Sequence, residues 1–407
     1  MKHLYTLLLF ATLYISNNVF AAIDPGGKDT RDSKNAIGSK SNKKDSDSLE
    51  KNYPTTLKNI YNIAILLPFY IDKEDLNKSE RNTSSISRDY YKGVLLGIDS
   101  IKKTGGNFNV YILDNARDAA GLARLKDTLK NLKIDLVLGP LLESELKKIV
   151  PYCNANKINI VSPVATLDTC MDKTYYLESN PGPDSYGAQA AALVQKYFKN
   201  QRIIMVNERT LAHNLIGKVF VDKIPKDSLH IIDFKGVGPN TFTGFKGFTE
   251  KTVLFLPSKN EIFLSSLMSK LQLLDTMDYE ISVIGLYPWL YFKSLEGNVW
   301  DHYNLHLLVP FNIDYNNPKV KSFVYKFRNK FNEEPNEYDF RGFDDFIVYA
   351  KLLMNHGVYF QKAFANESIE SLHGIYHFEQ INNCSGYRNT GVHIIKFDDF
   401  EFKKIGE

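Results

Sequence analysis

Cysteine is scarce, with three in 407 residues: Cys153, Cys170 and Cys384. That is too few for a disulfide framework, and no Cys-x-x-Cys or Cys/His spacing is present to hold a metal. Cys153 and Cys170 are the only pair close in sequence. A bridge between them and buried free thiols are both open. Catalytic signatures are missing as well: no Gly-x-Ser-x-Gly elbow, no His-Glu-x-x-His and no phosphate-binding loop. Asn383-Cys384-Ser385 has no positioned base beside it. The pairs His302/His306 and His373/His377 are four apart but fall in strand or loop patterns, where such pairs need not share a face. No catalytic residue, no metal and no cofactor is therefore expected. A net charge of only +3 argues against a nucleic-acid partner. Past the first residues, no run is long and apolar enough to span a bilayer.

What is there begins with an export signal. Lys2 supplies a positive start, residues 4–15 form a short apolar run, and Val19-Phe20-Ala21 offers a cleavage site near Ala21. An uncleaved N-terminal anchor is the alternative, opposed by polar Ser16-Asn17-Asn18. No cysteine stands near the cleavage site to carry a lipid. Residues 22–58 are rich in Lys, Asp, Ser, Asn and Gly and read as a disordered polar tether. The remaining length of about 350 residues suits two domains. The expectation is a soluble, exported, periplasmic protein.

Strand and helix patterns alternate through these domains. Residues 61–69 (YNIAILLPF) read as a buried strand, and 87–103 as a helix with Tyr91, Val94, Leu95, Ile98 and Ile101 on one face. Residues 134–166 read as strand, sharp turn at Gly139-Pro140, helix, strand and turn at Ser162-Pro163. The rhythm pauses at residues 175–182 and then restarts. Strands are expected near 202–206, 229–234, 252–256, 281–284 and 305–309, with helices between them. Helices near 318–331 and 339–354 and short strands near 375–378 and 392–397 follow. Alternation this regular implies right-handed crossovers and parallel sheets. The fold class is α/β, two doubly wound lobes joined by a hinge, with the cleft between them as the default binding site.

At these residues the chain resembles the type I periplasmic-binding-protein family, the group of the leucine/isoleucine/valine-binding proteins. YYKGVLLGIDSIKK (90–103) is similar to the family's first helix, and FNVYILDNARD (108–118) to its second strand and turn. LVLGPLLESE (136–145) and IVSPVAT (160–166) resemble its two cleft loops, and ESNPGPDSYGAQAAALV (178–194) its first hinge and the helix beyond. A nearer resemblance is to envelope proteins of Bacteroidota-type bacteria, in which this fold often follows LysM repeats. No LysM repeat is present here. The resemblance implies a multi-strand hinge with three crossovers, lobe I over 59–180 plus 311–372, and lobe II over 181–310 plus 373–407.

It also implies where a ligand would lie. Leu142, Glu143 and Ser144 match the first cleft loop, with Glu143 nearest the place of a carboxylate-binding serine. An acid there repels a carboxylate, and Glu143 acting only at the helix start is equally open. Val164, Ala165 and Thr166 match the second loop; a plain turn fixed by Pro163 is the alternative. Asp168 adds a second acid, so this wall suits a cationic or hydroxyl-rich ligand. On the other lobe, Asn207, Ser258 and Tyr287 follow strands at the closing face. Trp289 is expected to pack the hinge. Asp339 starts a helix that reaches the cleft in relatives, or merely caps it. The expected function is a non-catalytic, exported solute-binding-type protein that closes on a small polar ligand. The alternative is a ligand-free scaffold or regulator in the cell envelope, linked to peptidoglycan assembly. The partners are accordingly that ligand, a membrane transporter, or an envelope protein complex.

Overall fold

The computed structural model describes residues 57–115, 119–167, 175–209, 211, 214–234, 251–272, 280–294, 297–366, 368–381 and 386–405. The leader, nearly all of the tether, Asp168, Cys170 and residues 383–385 lie outside them. Lys58, read as the end of the tether, already belongs to the folded part: its Nζ lies 2.5 Å from Asp135.

Lobe I opens with β1 (Tyr61–Leu67), α1 (Lys78–Lys103), β2 (Phe108–Asp114), α2 (Ala119–Asn131), β3 (Leu136–Leu138), α3 (Glu143–Ala155), β4 (Asn159–Ser162) and β5 (Tyr176–Glu178). All five strands run parallel, β1 between β2 and β3. Ile63, Ile65 and Leu67 on one face of β1 and Ala64 and Leu66 on the other are all buried, as a strand covered by helices on both sides requires. Helix α1 begins nine residues before the apolar stripe suggested. Asn77 and Glu80 form a reciprocal capping box that starts it at Lys78.

Lobe II contains α4 (Pro183–Tyr197), β6 (Arg202–Asn207), α5 (Leu215–Lys223), β7 (Leu229–Asp233), β8 (Thr252–Phe255), α6 (Glu261–Gln272), β9 (Ile281–Leu286), a 3-10 turn (Tyr287–Tyr291), α7 (Gly297–His302) and β10 (His306–Val309). Its parallel strands are ordered β10-β9-β8-β6-β7. The chain then returns to lobe I for α8 (Pro318–Phe331), α9 (Glu337–His356) and β11 (Ser368–Glu370).

The C-terminal strands correct the expected boundary at residue 372. β12 (Ile375–Gln380) and β13 (Tyr387–Asn389) join the first sheet, β13 pairing parallel with β5. Only β14 (His393–Asp398) and β15 (Glu401–Ile405) join the second, where β14 runs antiparallel to β10. The third crossover therefore lies between Asn389 and His393. Lobe I ends in an antiparallel edge that its strand lengths concealed.

Two glycines set the packing of lobe I. A Cβ on Gly342 would stand 1.9 Å from the Tyr90 carbonyl oxygen, and one on Gly93 would stand 1.9 Å from that of Asp339. Helices α1 and α9 thus meet backbone to backbone, the reason for glycine at these places in the motif.

Candidate functional site

The carboxyl ends of the lobe I strands carry the two loops expected to face a ligand. Leu142 is the N-cap of α3 and offers no side-chain cap. Glu143 lies in the first turn, where negative charge suits the helix end, and its carboxylate pairs with Lys147 at 2.6 Å one turn on. It is a helix-start residue satisfied within its own helix. Ser144 beside it is exposed.

The second loop is more tightly built. Ser162 Oγ donates to the Ala165 carbonyl at 2.6 Å, and Asn180 Nδ2 donates to the Val164 carbonyl at 2.9 Å. Arg341, from the second turn of α9, donates through Nη1 to the Pro163 carbonyl at 2.8 Å and to Asn180 Oδ1 at 2.7 Å. Val164, Ala165 and Thr166 are left half-buried. Arg341 is 7% exposed. Burial disfavours its charge, but Asp345 one turn further on, together with Tyr376, Glu337 and Tyr338, outweighs that and holds the guanidinium cationic.

Lobe II approaches this same place. The Tyr291 hydroxyl donates to Glu337 Oε2 at 3.1 Å, joining the turn after β9 to the first turn of α9. Tyr287 and Tyr186 both feel the charge of Arg341, and Tyr287 and Tyr338 also feel that of Glu337. Burial first, and then Glu337, keeps the Tyr287 and Tyr338 hydroxyls protonated. The start of α9 is therefore, besides the Arg388–Asp184 pair at 3.3 Å, a meeting point of the lobes. It gathers one buried cation, one acid and several phenol hydroxyls.

Not every expected residue is there. Asn207 is fully buried, donates to Asp233 Oδ1 at 3.0 Å and accepts from Asn214 at 3.3 Å, which ties β6 to β7 and to the start of α5. Ser258 donates to Glu208 at 2.9 Å while its carbonyl accepts from Trp289 Nε1 at 2.9 Å. Both residues stabilise lobe II rather than face a ligand. Trp289 is fully buried, as expected of a packing residue. Asp339 is 1% exposed, and its Oδ2 accepts from the Asn336 amide at 2.8 Å. It caps α9 beside α1, so it too is removed from the cleft. Burial pushes its carboxyl up to about 8.

The residues that sequence reading missed are Arg341, Asn180, Tyr186, Tyr291 and Glu337. One signal was present: Arg341 and Asp345 stand four apart on the apolar side of a helix, with Asp344 between. Charges there require partners. Of the acids expected to line the wall, Glu143 is paired with Lys147 and Asp168 lies outside the described residues, while a cation, Arg341, stands at this meeting point.

No protein-family model and no curated protein matches this chain. Solved structures do. An ABC transporter substrate-binding protein from Desulfitobacterium hafniense, in complex with Leu, is 16% identical with a TM-score of 0.54, covering 85% of this chain and 100% of its own. The fold is that of the type I periplasmic-binding proteins. A substrate-binding protein from Sphaerobacter thermophilus is similar at 14% identity and TM-score 0.55, covering 86% of this chain and 97% of its own. LpoA from Haemophilus influenzae is similar at 14% identity and TM-score 0.56, with 86% of this chain covering 60% of LpoA. Among the described residues, no helix is long and apolar enough to cross a membrane, and no cluster of metal-ligating side chains occurs.

Proposed function

We propose that this chain is an exported, non-catalytic solute-binding-type protein whose lobes close on a small polar ligand at the start of α9. The observation that carries the reading is Arg341. Among the described residues, both of its hydrogen bonds come from Nη1, and Nε and Nη2 donate to none. Neither nitrogen is sealed off from solvent, so these donors can take an acceptor that enters from the cleft, and a carboxylate or a pair of sugar hydroxyls supplies one. The tyrosines around it offer rigid faces and hydroxyls. Closing would exchange the open for the closed population by bridging Arg341 and the 164–166 loop to Tyr287. The leader sequence, and the substrate-binding proteins among the similar structures, support export and a membrane transporter as partner.

Thermal-shift screening with amino acids, peptides, sugars and nucleosides tests the reading, because a ligand of the native state raises the melting temperature by mass action. Arg341→Gln should abolish the shift while the far-ultraviolet spectrum stays native. Tyr287→Phe, a smaller change, should reduce it. A second reading is favoured by the likeness to LpoA and by the Tyr291–Glu337 contact, which holds the lobes together without a ligand. In it the fold acts as an envelope scaffold linked to peptidoglycan assembly. Indifference to every compound class, together with one stable partner from envelope extracts, would select that reading.

A further inference from the structure

On the flank of lobe I, away from the lobe contact, the end of α1, the length of α8, the middle of α9 and β11 enclose an open cavity of about 860 Å³. Its floor is apolar, with Leu96, Phe323, Phe343 and Ile347 among the lining side chains. Its rim is basic. Lys319, Lys326 and Lys330 line it from α8, at spacings of seven and four that place them on one helix face. Lys103 from the end of α1 and Lys351 from α9 complete the rim. The carboxylates in the lining are Asp99 and Asp344. Asp99 is paired with Lys330 at 2.7 Å, and Asp344 is fully buried against His373. Among the described residues, Lys103, Lys319, Lys326 and Lys351 have no carboxylate partner.

We infer that this cavity is a second ligand site and takes an anionic amphiphile, a molecule with one apolar body and one carboxylate or phosphate head. A folded surface without such a partner intersperses charges of both signs, because like charges around one spot repel. Here three helices bring positive charge to a single apolar concavity, in a chain whose net charge is only +3. The volume lies within the range of roughly 300–1,000 Å³ typical of pockets that take a small molecule nearly whole. A concave floor fits one apolar body better than a flat bilayer, so the occupant is a single dissolved molecule. The apolar part would displace water from Phe323 and Phe343, and the head would sit among the lysines. The site is separate from the one at the start of α9, and neither depends on the other being occupied.

Titration calorimetry of the full chain with dodecanoate and with dodecyl phosphate, below their micelle concentrations, tests the inference. Both should bind, with affinity falling as salt rises. Dodecanol and dodecyltrimethylammonium, with the same tail, should bind at least about tenfold weaker, and inorganic phosphate, the head alone, should not register. Lys319→Glu/Lys326→Glu changes two exposed side chains and should lower affinity by about tenfold or more with the melting temperature unchanged. Bound dodecyl phosphate should slow hydrogen exchange in α8 and leave the first turn of α9 unaffected. Equal binding of all the dodecyl compounds, no binding of the anionic pair, or affinity unchanged in the double variant would overturn the inference. So would capture by anionic vesicles, or by an acidic helical peptide, without any binding of the monomeric amphiphiles.

Discussion

The two lobes share a winding but differ in what they bury. In lobe I, Glu178, Asp344, Asp345 and Arg341 are all inside. Asp345 accepts from the hydroxyls of Tyr90 at 3.0 Å and Tyr376 at 2.9 Å, and Glu178 lies between the Arg388 guanidinium and the Tyr176 hydroxyl. In lobe II, the buried polar side chains among the described residues are Ser185, Asn207, Thr252, Ser258, His306 and His393, with no carboxylate, lysine or arginine. Burying a charged network in place of apolar groups seldom adds stability, but each member fixes its neighbours in one arrangement. Lobe I carries that arrangement where the lobes meet and where its chain crosses over. Lobe II is held by apolar packing around Trp289 and Phe255.

The sharpest way to break this contrast is to remove one member of the network. Asp345→Ala leaves two tyrosine hydroxyls without their shared acceptor, removes the charge that most favours the Arg341 cation, and should cost about 3–5 kcal/mol in urea unfolding. The matching change in lobe II, Trp289→Phe, loses one hydrogen bond and some volume and should cost about 1–3 kcal/mol. Equal losses would erase the distinction. Next comes Gly342→Ala, whose new methyl meets the Tyr90 carbonyl. A cost of about 1–3 kcal/mol is expected, with α1 and α9 exchanging their amide hydrogens together and faster.

Acidity separates the lobes in opposite directions. Burial pushes the carboxyl of Asp339 up to about 8 and that of Glu145 up to about 7. The native state therefore holds protons that the unfolded chain releases near pH 4. The stability these two groups contribute is complete below about pH 4 and is lost as pH rises to between 7 and 8. His306 in lobe II is pulled down to about 4 by burial. Its contribution is complete above about pH 6.5 and is lost as pH falls towards 4. Asp339→Asn should thus flatten the decline between pH 5 and 8 by about 1–3 kcal/mol, and His306→Gln should flatten the opposite limb. Melting curves across pH would show both slopes, and unchanged profiles would count against the burial of these groups. The smallest effect belongs to Glu143→Ser. It breaks one half-exposed pair with Lys147, should cost under about 1 kcal/mol, and should not by itself admit an amino acid.

Much of this architecture is written in periodicity. The strands of 61–67, 202–207 and 281–286 are apolar on both faces because helices cover both, and such runs stand out from the helical stripes between them. The C-terminal boundary was not legible. Strands β5, β11 and β13 have three residues each, too short to show an alternation, and only pairing reveals which sheet they enter. The site was half legible. The 163–166 loop shows itself by its bend, and Tyr287 by its place after a strand. Arg341 lies inside a helix whose pattern reads as core, and its role depends on Asn180, distant in sequence. Asn207, Ser258 and Asp339 occupy the right ends of the right elements. Their hydrogen bonds turn inward, and position along a chain does not tell where an amide or a carboxylate points.

Asn389 shows how the hinge must behave. Its Nδ2 holds the Ser179 carbonyl at 3.0 Å in the first crossover, while its Oδ1 receives the amides of His377 at 2.9 Å and Gly391 at 3.0 Å in and beside the third. Two connections that leave lobe I at different points of the sequence are thereby stapled into one ribbon. Neither can swivel alone, so any opening of the molecule is confined to bending about a common axis, and twisting of one lobe over the other is resisted at its root.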